Sequence, residues 1–426
     1  MASMIAWLLT IPLELRCLTV FAVGLWLGSL VNWGIYSLAY DARAISPWSR
    51  RPAELSPRRW YDYLPVLGWL TLGREHGKWG RGFWVRPLLL DLAIAGGLTL
   101  LYYWEATQQL LPPPGWILVG GAPPATTIVH ARFVSHALLI LLLTIATFID
   151  FDEKTIPDWI TVPGMLAGLT FATVWPFSLP VNLIPGAPPI LDFLWLTAPN
   201  SWSPALDTTT GLAMGLFCYF GWCFGILHKR WITRRGLSKA IAWFCASIAR
   251  PGSNWPIVVA LAAIGAPLIG AVWMIGGSAW QGLLSALVGA AAGGSLLWAI
   301  RIIGTQSLGQ EAMGFGDVTL MAMIGAFVGW QGALIAFFLA PFAALFIAVA
   351  QYLFTKRKDL AFGPYLAAGG LYVVLRWSSI WESAGPMFGM GLLIPATVII
   401  CLAVMWLMLW SLRKFREWSY MAEGRA

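Results

Sequence analysis

Charge is scarce in this 426-residue chain. Asp, Glu, Lys and Arg make up 11% of it, against 59% hydrophobic residues. A soluble domain carries about 25% charged residues, so a soluble enzyme with a large core is excluded. Histidine is rarer still: His76, His130, His136 and His228 are the whole set, and none stands in an HExxH. That disfavours a zincin. The five cysteines (Cys17, Cys218, Cys223, Cys245 and Cys401) lie mostly in apolar runs and form no CxxC. Neither a zinc site nor a disulfide framework is expected from them. The N-terminus lacks the basic lead-in of a signal peptide and meets Glu14 and Arg16 early, so Leu18 onward reads as a retained span. Apolar and polar residues do not alternate, which sets aside a membrane barrel.

What the chain has in quantity is continuous apolar sequence, with 27 Trp and 44 Gly, both common in membrane-embedded helices. Runs bounded by charged or Pro/Gly-rich stretches predict helices over about 18–40, 87–104, 134–150, 159–178, 209–228, 256–275, 281–303, 318–329, 331–353, 362–376 and 390–412. The fold class is therefore an all-α polytopic membrane protein with about eleven transmembrane helices, some short. Eleven spans of about 20 residues use roughly half the chain, leaving no room for large extramembrane domains.

Placing the N-terminus outside and the C-terminus inside puts 24 of the 27 Lys and Arg on the inner face, with only Arg16, Arg132 and Arg376 opposite. Basic residues gather on the cytoplasmic side of membrane proteins, so this topology is the expected one. The same asymmetry accounts for the net charge of +8 without a nucleic-acid partner; the surroundings are membrane lipids. Two connections stand out. The inner loop 41–86 is basic and aromatic, through SPRRWYDYLPVLGWL and GREHGKWGRGFWVR, and reads equally as an interfacial segment with Trp and Arg anchors. The outer stretch 179–208 is Pro-rich and nearly uncharged, and reads as an ordered loop without chemistry.

An ionisable group near bilayer depth is costly and points to function. Two places qualify. FIDFDEKTIPDWIT puts Asp150 at the inner end of the third span, with Asp152, Glu153 and Asp158 just beyond; EAMGFGDVTL puts Asp317 at the opening of the eighth, directly after Gly314-Phe315-Gly316. A topology derived from unrelated Lys and Arg residues thus places both acids on one side at similar depth. Two carboxylates in a partly dry site can share a proton, one activating water and the other polarising a scissile carbonyl. Gly314 and Gly316 permit unusual backbone angles and close approach of a substrate strand. On spacing alone, however, the plainer reading of Asp317 as a capping acid is preferred, because GxGD is so short. Helix polarity names Asp317, at a helix N-terminus, as the ionised base and Asp150, at a C-terminus, as the acid. His136 reads as a hydrogen-bonded interior residue, and Cys218 and Cys223 as small apolar packers.

Several blocks, in order, resemble the type IV prepilin peptidases, GxGD-type aspartic proteases of the bacterial inner membrane. IDFDEKTIPDWITVP (149–163) is similar to the family's first-aspartate block, EAMGFGD (311–317) to its second and FGPYLA (362–367) to a later one; LGSLVN, YDYLPVLGWL and RPLLLDLAIAG are similar to earlier ones. The resemblance implies catalytic Asp150 and Asp317. Asp150 is preferred over its acidic neighbours because the family's first aspartate lies seven residues before the proline, here Pro157. Phe362, Gly363 and Pro364 are implied motif residues, with Pro364 ending or kinking the start of the tenth helix. The implied reaction is cleavage of the short basic leader of a prepilin or pseudopilin at the cytoplasmic membrane face, the substrate's apolar helix staying among the enzyme's own.

Departures from the family pattern qualify what is carried over. Loop 41–86 holds the family's methyltransferase position but has no cysteine, so zinc is not expected. S-adenosylmethionine is implied only where N-methylation is retained. Thr319 replaces a frequent lysine. The implied organisation is 1–40 as first helix, 41–86 as cytoplasmic loop, 87–178 as helices carrying Asp150, 179–275 as an insertion with two extra helices, and 276–426 as helices carrying GxGD and FGPYLA. The competing readings are a secondary transporter and an inactive scaffold of a pilus or secretion assembly. Transporters usually place ionisable groups near the midplane rather than paired at one face.

Overall fold

The computed structural model describes residues 10–107, 117–118, 125–184, 190–227, 242, 246, 250, 252–309, 311–355 and 361–423. Among them run ten long helices: α1 Leu13–Ser37, α2 Val85–Thr107, α3 Ala125–Glu153, α4 Asp158–Val174, α5 Thr209–Ile226, α6 Trp255–Ile275, α7 Gly277–Leu308, α8 Phe315–Thr355, α9 Gly363–Phe388 and α10 Leu393–Glu423. Eight are long and apolar enough to cross a membrane; α4, at 17 residues, and α9 fall outside that set. The chain is a multi-pass membrane protein, and its helical class agrees with the sequence.

The two expected spans 318–329 and 331–353 both fall within α8, and Gly329 between them has φ 71° and ψ 174°. Side chains built at adjacent Gly369 and Gly370 of α9 would meet Ala336 and Ile324 respectively. On a straight helix those two residues would be about 18 Å apart. The chain therefore reverses at Gly329, and α8 is a hairpin of a short arm and a longer one. Counted this way, every predicted span has a helical counterpart.

Helix pairs close where small residues face each other. A Cβ at Gly24 or Gly28 of α1 would lie 2.7 or 2.6 Å from the Cα of Ala95 or Asp91 on α2. Gly289 of α7 and Gly325 of α8 each present a carbonyl within 2.2 Å of where the other's Cβ would be. Such backbone proximity is how helices associate in lipid, where apolar burial gives little drive. At the periphery, α10 packs along α7 and leaves Ile399, Leu407 and Trp418 exposed, as a lipid-facing helix should.

Two connections carry more structure than the sequence suggested. The stretch after α4 contributes β2 Val181–Ile184 and β3 Ile190–Phe193, antiparallel to each other, with β1 Ile117–Leu118 parallel to β3. Its irregular backbone covers the α8 reversal: Trp330 donates to Leu196 O at 2.8 Å and Gln331 to Trp195 O at 3.1 Å. Non-helical backbone at membrane depth is tolerated when protein satisfies it in this way.

The stretch between α1 and α2 folds into an ordered lobe. Its buried Asp62 accepts bonds from Arg74, Thr71 and the Arg59 amide, and buried Glu75 faces Arg58 at 3.9 Å and accepts from Trp79 Nε1. The lobe is tied to the bundle by Asp91 of α2, which is fully buried and accepts from Ser29, Asn32, the Val66 amide and Trp69 Nε1 at 2.9–3.1 Å.

Candidate active site

Asp150 lies in the last turn of α3 and is 5% exposed. The chain leaves α3 through Lys154 in a left-handed conformation (φ 59°) and re-enters helix at α4 after Pro157, which occupies the N-cap position. Two of its acidic neighbours are engaged elsewhere. Asp152 pairs with Arg43 and Arg86 at 2.8 Å, and Glu153 accepts the amides of Tyr40 and Asp41. Asp158 lines the same cavity as Asp150.

Asp317 is in the first turn of α8 and is 7% exposed. The loop before it is held by Arg301 of α7, whose Nε donates to Met313 O at 2.9 Å and whose terminal nitrogen pairs with Glu311. Thr161 of α4 donates to Thr319 Oγ1 at 3.0 Å, and Thr319 donates to Gly316 O at 3.1 Å. The threonine at the position of the family's lysine thus anchors the GFGD turn to α4.

Ile156 brings the blocks together. A Cβ at Gly316 would lie 2.8 Å from Ile156 Cβ, and one at Gly363 would lie 2.7 Å from Ile156 Cδ1 and 2.6 Å from Asp150 Oδ2. Both glycine motifs therefore close on one wedge residue beside Asp150. The Gly363 amide donates to Asp150 Oδ2 at 3.0 Å. Among the described residues no donor is bonded to the Asp317 carboxylate, and Gly314 flanks it, its Cβ position 3.9 Å from Oδ2.

Asp150, Asp317, Gly314, Gly316 and Phe362 line one cavity of about 1350 Å³, and the two carboxylates interact electrostatically across it. Gly363 reaches the site through its amide. Pro364 sits in the first turn of α9, where its missing N–H costs nothing; it starts that helix rather than ending or kinking it. The Thr161–Thr319 bond, the Ile156 wedge and the Arg301 brace escape a reading of sequence. Only Arg301 gave a signal there, as a lone cation at the end of a span. His136 is a buried partner of Glu105, and Cys223 a buried packer. Among the described residues no group of His, Cys, Asp and Glu has the arrangement of a metal site.

Residues 251–349 match the model of the type IV leader peptidase family. That segment includes Asp317 and the α6 helix, which the sequence organisation assigned to an insertion, and stops short of Asp150. Among curated proteins, the "Prepilin leader peptidase/N-methyltransferase" of Aeromonas hydrophila is 35% identical over 112 residues, 23% of this chain and 38% of that protein. The one from Pseudomonas putida is 34% identical over 115 residues, 26% and 39% of the two chains. The one from Neisseria gonorrhoeae is 26% identical over 181 residues, 42% and 59%. The chain thus spans about two fifths of the length of the first two. No solved structure matches. The resemblance to the type IV prepilin peptidases is supported by both comparisons, and neither favours a transporter or a scaffold.

Proposed function

We propose that this chain, whose residues 251–349 match the model of the type IV leader peptidase family, is a membrane aspartic endopeptidase. It cleaves the short leader of a type IV prepilin or pseudopilin at the cytoplasmic face of the bacterial inner membrane. The observation that carries the reading is the shared cavity: two largely buried carboxylates from separate helices open onto one space, each supported by a glycine motif that leaves room beside it. Arg43, Arg86, Lys154, Arg301 and Arg413 gather at the same end of the bundle, which supports cytoplasmic orientation of that end and of the C-terminus.

In the proposed reaction the ionised carboxylate takes a proton from water as it attacks the scissile carbonyl, while the protonated one donates to the carbonyl oxygen. The tetrahedral intermediate collapses as the amine leaves with a proton, giving a new carboxylate and a new N-terminus. The Gly363 amide on Asp150 favours that residue as the ionised member, the reverse of the assignment from helix polarity. Infrared difference spectra of Asp150→Asn and Asp317→Asn test it. The protonated-carboxyl band should vanish with Asp317→Asn, and its loss with Asp150→Asn alone would restore the helix-end assignment.

Methylation, which the relatives' names include, is not part of the proposed activity. Its donor would be S-adenosylmethionine, whose ribose hydroxyls and sulfonium call for acidic partners. The lobe's buried acids do not fit that task, since Asp62 and Glu75 are engaged with Arg74 and Arg58. Without cysteine, the lobe also offers no thiolate ligand set for zinc.

The test is co-expression with a tagged prepilin-like substrate, beside Asp150→Ala and Asp317→Ala. The unmodified protein should remove the leader and both variants should leave it in place. Processing that survives either change rejects the dyad. Mass spectrometry of the mature N-terminus reads methylation from the same sample.

A further inference from the structure

We propose that the tip of the lobe between α1 and α2 is sunk in the bilayer, with Leu67 and Leu70 against lipid acyl chains at the depth of Asp91. This goes beyond the peptidase reading and does not depend on it. It gives a joint task to two sequence blocks, YDYLPVLGWL and RPLLLDLAIAG, that the cleavage reaction leaves unused.

Asp91 measures the depth. It lies about 9 Å from Val85, where the membrane-crossing helix α2 begins. That helix is about 33 Å long, close to the hydrocarbon thickness of about 30 Å, so Asp91 is well inside the apolar layer. The neighbouring helix agrees. Asn32 and Ser29 of α1 donate to Asp91 at 2.9 and 3.1 Å, and they lie about 8 and 12 Å from Ser37 at that helix's end.

The lobe reaches the same level. The Val66 amide and Trp69 Nε1 both donate to Asp91 Oδ2 at 3.1 Å. The Leu67 amide bonds back to Pro65 O at 2.7 Å, closing a three-residue γ-turn in which Val66 has φ 64° and ψ −61°. A branched residue is strained there and persists only where its surroundings hold it. Irregular backbone is tolerated at membrane depth when protein satisfies its polar groups, and the Asp91 carboxylate does so for the amide at the centre of this turn.

The short helix Leu67–Leu72 turns Trp69 and Leu72 into the protein and leaves Leu67 and Leu70 53% and 49% exposed. Depth selects what covers them. Leu89 and Leu92, exposed on α2, lie within about 3 Å of Asp91 along the helix axis, so the outward leucines of the lobe are level with leucines that a membrane-crossing helix presents to acyl chains. Trp60 and Tyr63, exposed on the turn before, are of the types that favour the headgroup layer.

The test incorporates an environment-sensitive fluorescent amino acid at position 67 or 70 of the full chain, reconstituted in vesicles of phosphatidylcholine and phosphatidylglycerol. Part of the lipid is brominated on the upper acyl chain as a contact quencher. Position 89 is the lipid control. Position 77 is the water control, since Gly77 of the lobe is exposed and a side chain there meets nothing within 4 Å. Quenching at 67 and 70 should reach at least about half of that at 89, as for a face buried in the headgroup–acyl boundary, with little at 77. A melting temperature equal to that of the parent shows that each labelled protein folds. Photo-crosslinking from p-benzoylphenylalanine at position 70 in native membranes then identifies the neighbour, and a lipid adduct is expected. Quenching at 67 and 70 no greater than at 77 overturns the insertion. So does an adduct to polypeptide, whether another part of this chain, a second copy or a different protein. Neither readout uses cleavage, so failure here leaves the peptidase reading standing, and an inactive parent protein leaves this test intact.

Discussion

The backbone amide of Gly363 and the carboxylate of Asp150 lie 213 residues apart in the chain and meet at 3.0 Å. One helix start thereby fixes the orientation of an acid at another helix's end. The contact is possible only because position 363 has no side chain, since a Cβ there would sit 2.6 Å from the oxygen it serves.

Gly363→Ala should therefore push Asp150 off its position. In the proposed reaction, misplacing a catalytic group by about 1 Å costs on the order of 100-fold in rate, so on that reading leader removal should slow by at least about tenfold. Single-turnover rates in detergent, compared at equal thermal stability, measure it. An unchanged rate rejects the steric argument.

Asp91→Ala should loosen the lobe from the bundle. It strands four donors that now converge on one buried carboxylate, at Ser29, Asn32, Val66 and Trp69. Unsatisfied buried donors cost about 1–3 kcal/mol each, so the melting temperature should fall by about 5 °C or more. Thermal unfolding in detergent reads this directly, and an unaltered midpoint would show that the network does not support the fold.

Gly329→Val forces a branched side chain into φ 71° and ψ 174°, a region open almost solely to glycine, at a cost of about 1–3 kcal/mol. The destabilisation should exceed that of Gly97→Val, since Gly97 has helical backbone and nothing within 4 Å of its Cβ position. Equal melting temperatures for the two variants would argue against a reversal at Gly329.

The lobe should also respond to acid through Asp62. Burial raises the pKa of this carboxyl, but bonds from Arg74, the Arg59 amide and Thr71 outweigh it and bring it down to about 2 from 3.8. A folded-state value below the unfolded one means stabilisation that is complete above about pH 4 and disappears as the pH falls toward 2. The difference amounts to ~2 kcal/mol. Pepsin cleavage within 41–84 should be faster in Asp62→Asn than in the parent at pH 4, with the gap closing near pH 2. A gap that persists at pH 2 contradicts the linkage.

Apolar runs and the distribution of Lys and Arg were enough to predict the helices, because a bilayer penalises charge and unpaired backbone wherever they occur. The pairing of Asp150 with Asp317 on one face was legible for the same reason. Other features depend on contacts between distant parts of the chain and leave no local pattern. Ile156 is one more apolar residue until Gly316 and Gly363 close on it, and Thr319 looks like a loss of charge until Thr161 bonds to it. The lobe was ambiguous because its Trp and Arg content fits an interfacial segment equally well, and only the burial of Asp62, Glu75 and Asp91 distinguishes a folded unit.

The hairpin in α8 keeps its short arm away from the surrounding lipid. Its first arm, Phe315 to Val328, is ~21 Å long, while the acyl interior it crosses measures ~30 Å. The loop between α4 and α5, with Leu196 and Trp195 over the bend, fills the remaining third with protein. That arm is buried from Asp317 to Gly329, so it meets protein rather than lipid, and its shortness puts no demand on the thickness of the bilayer.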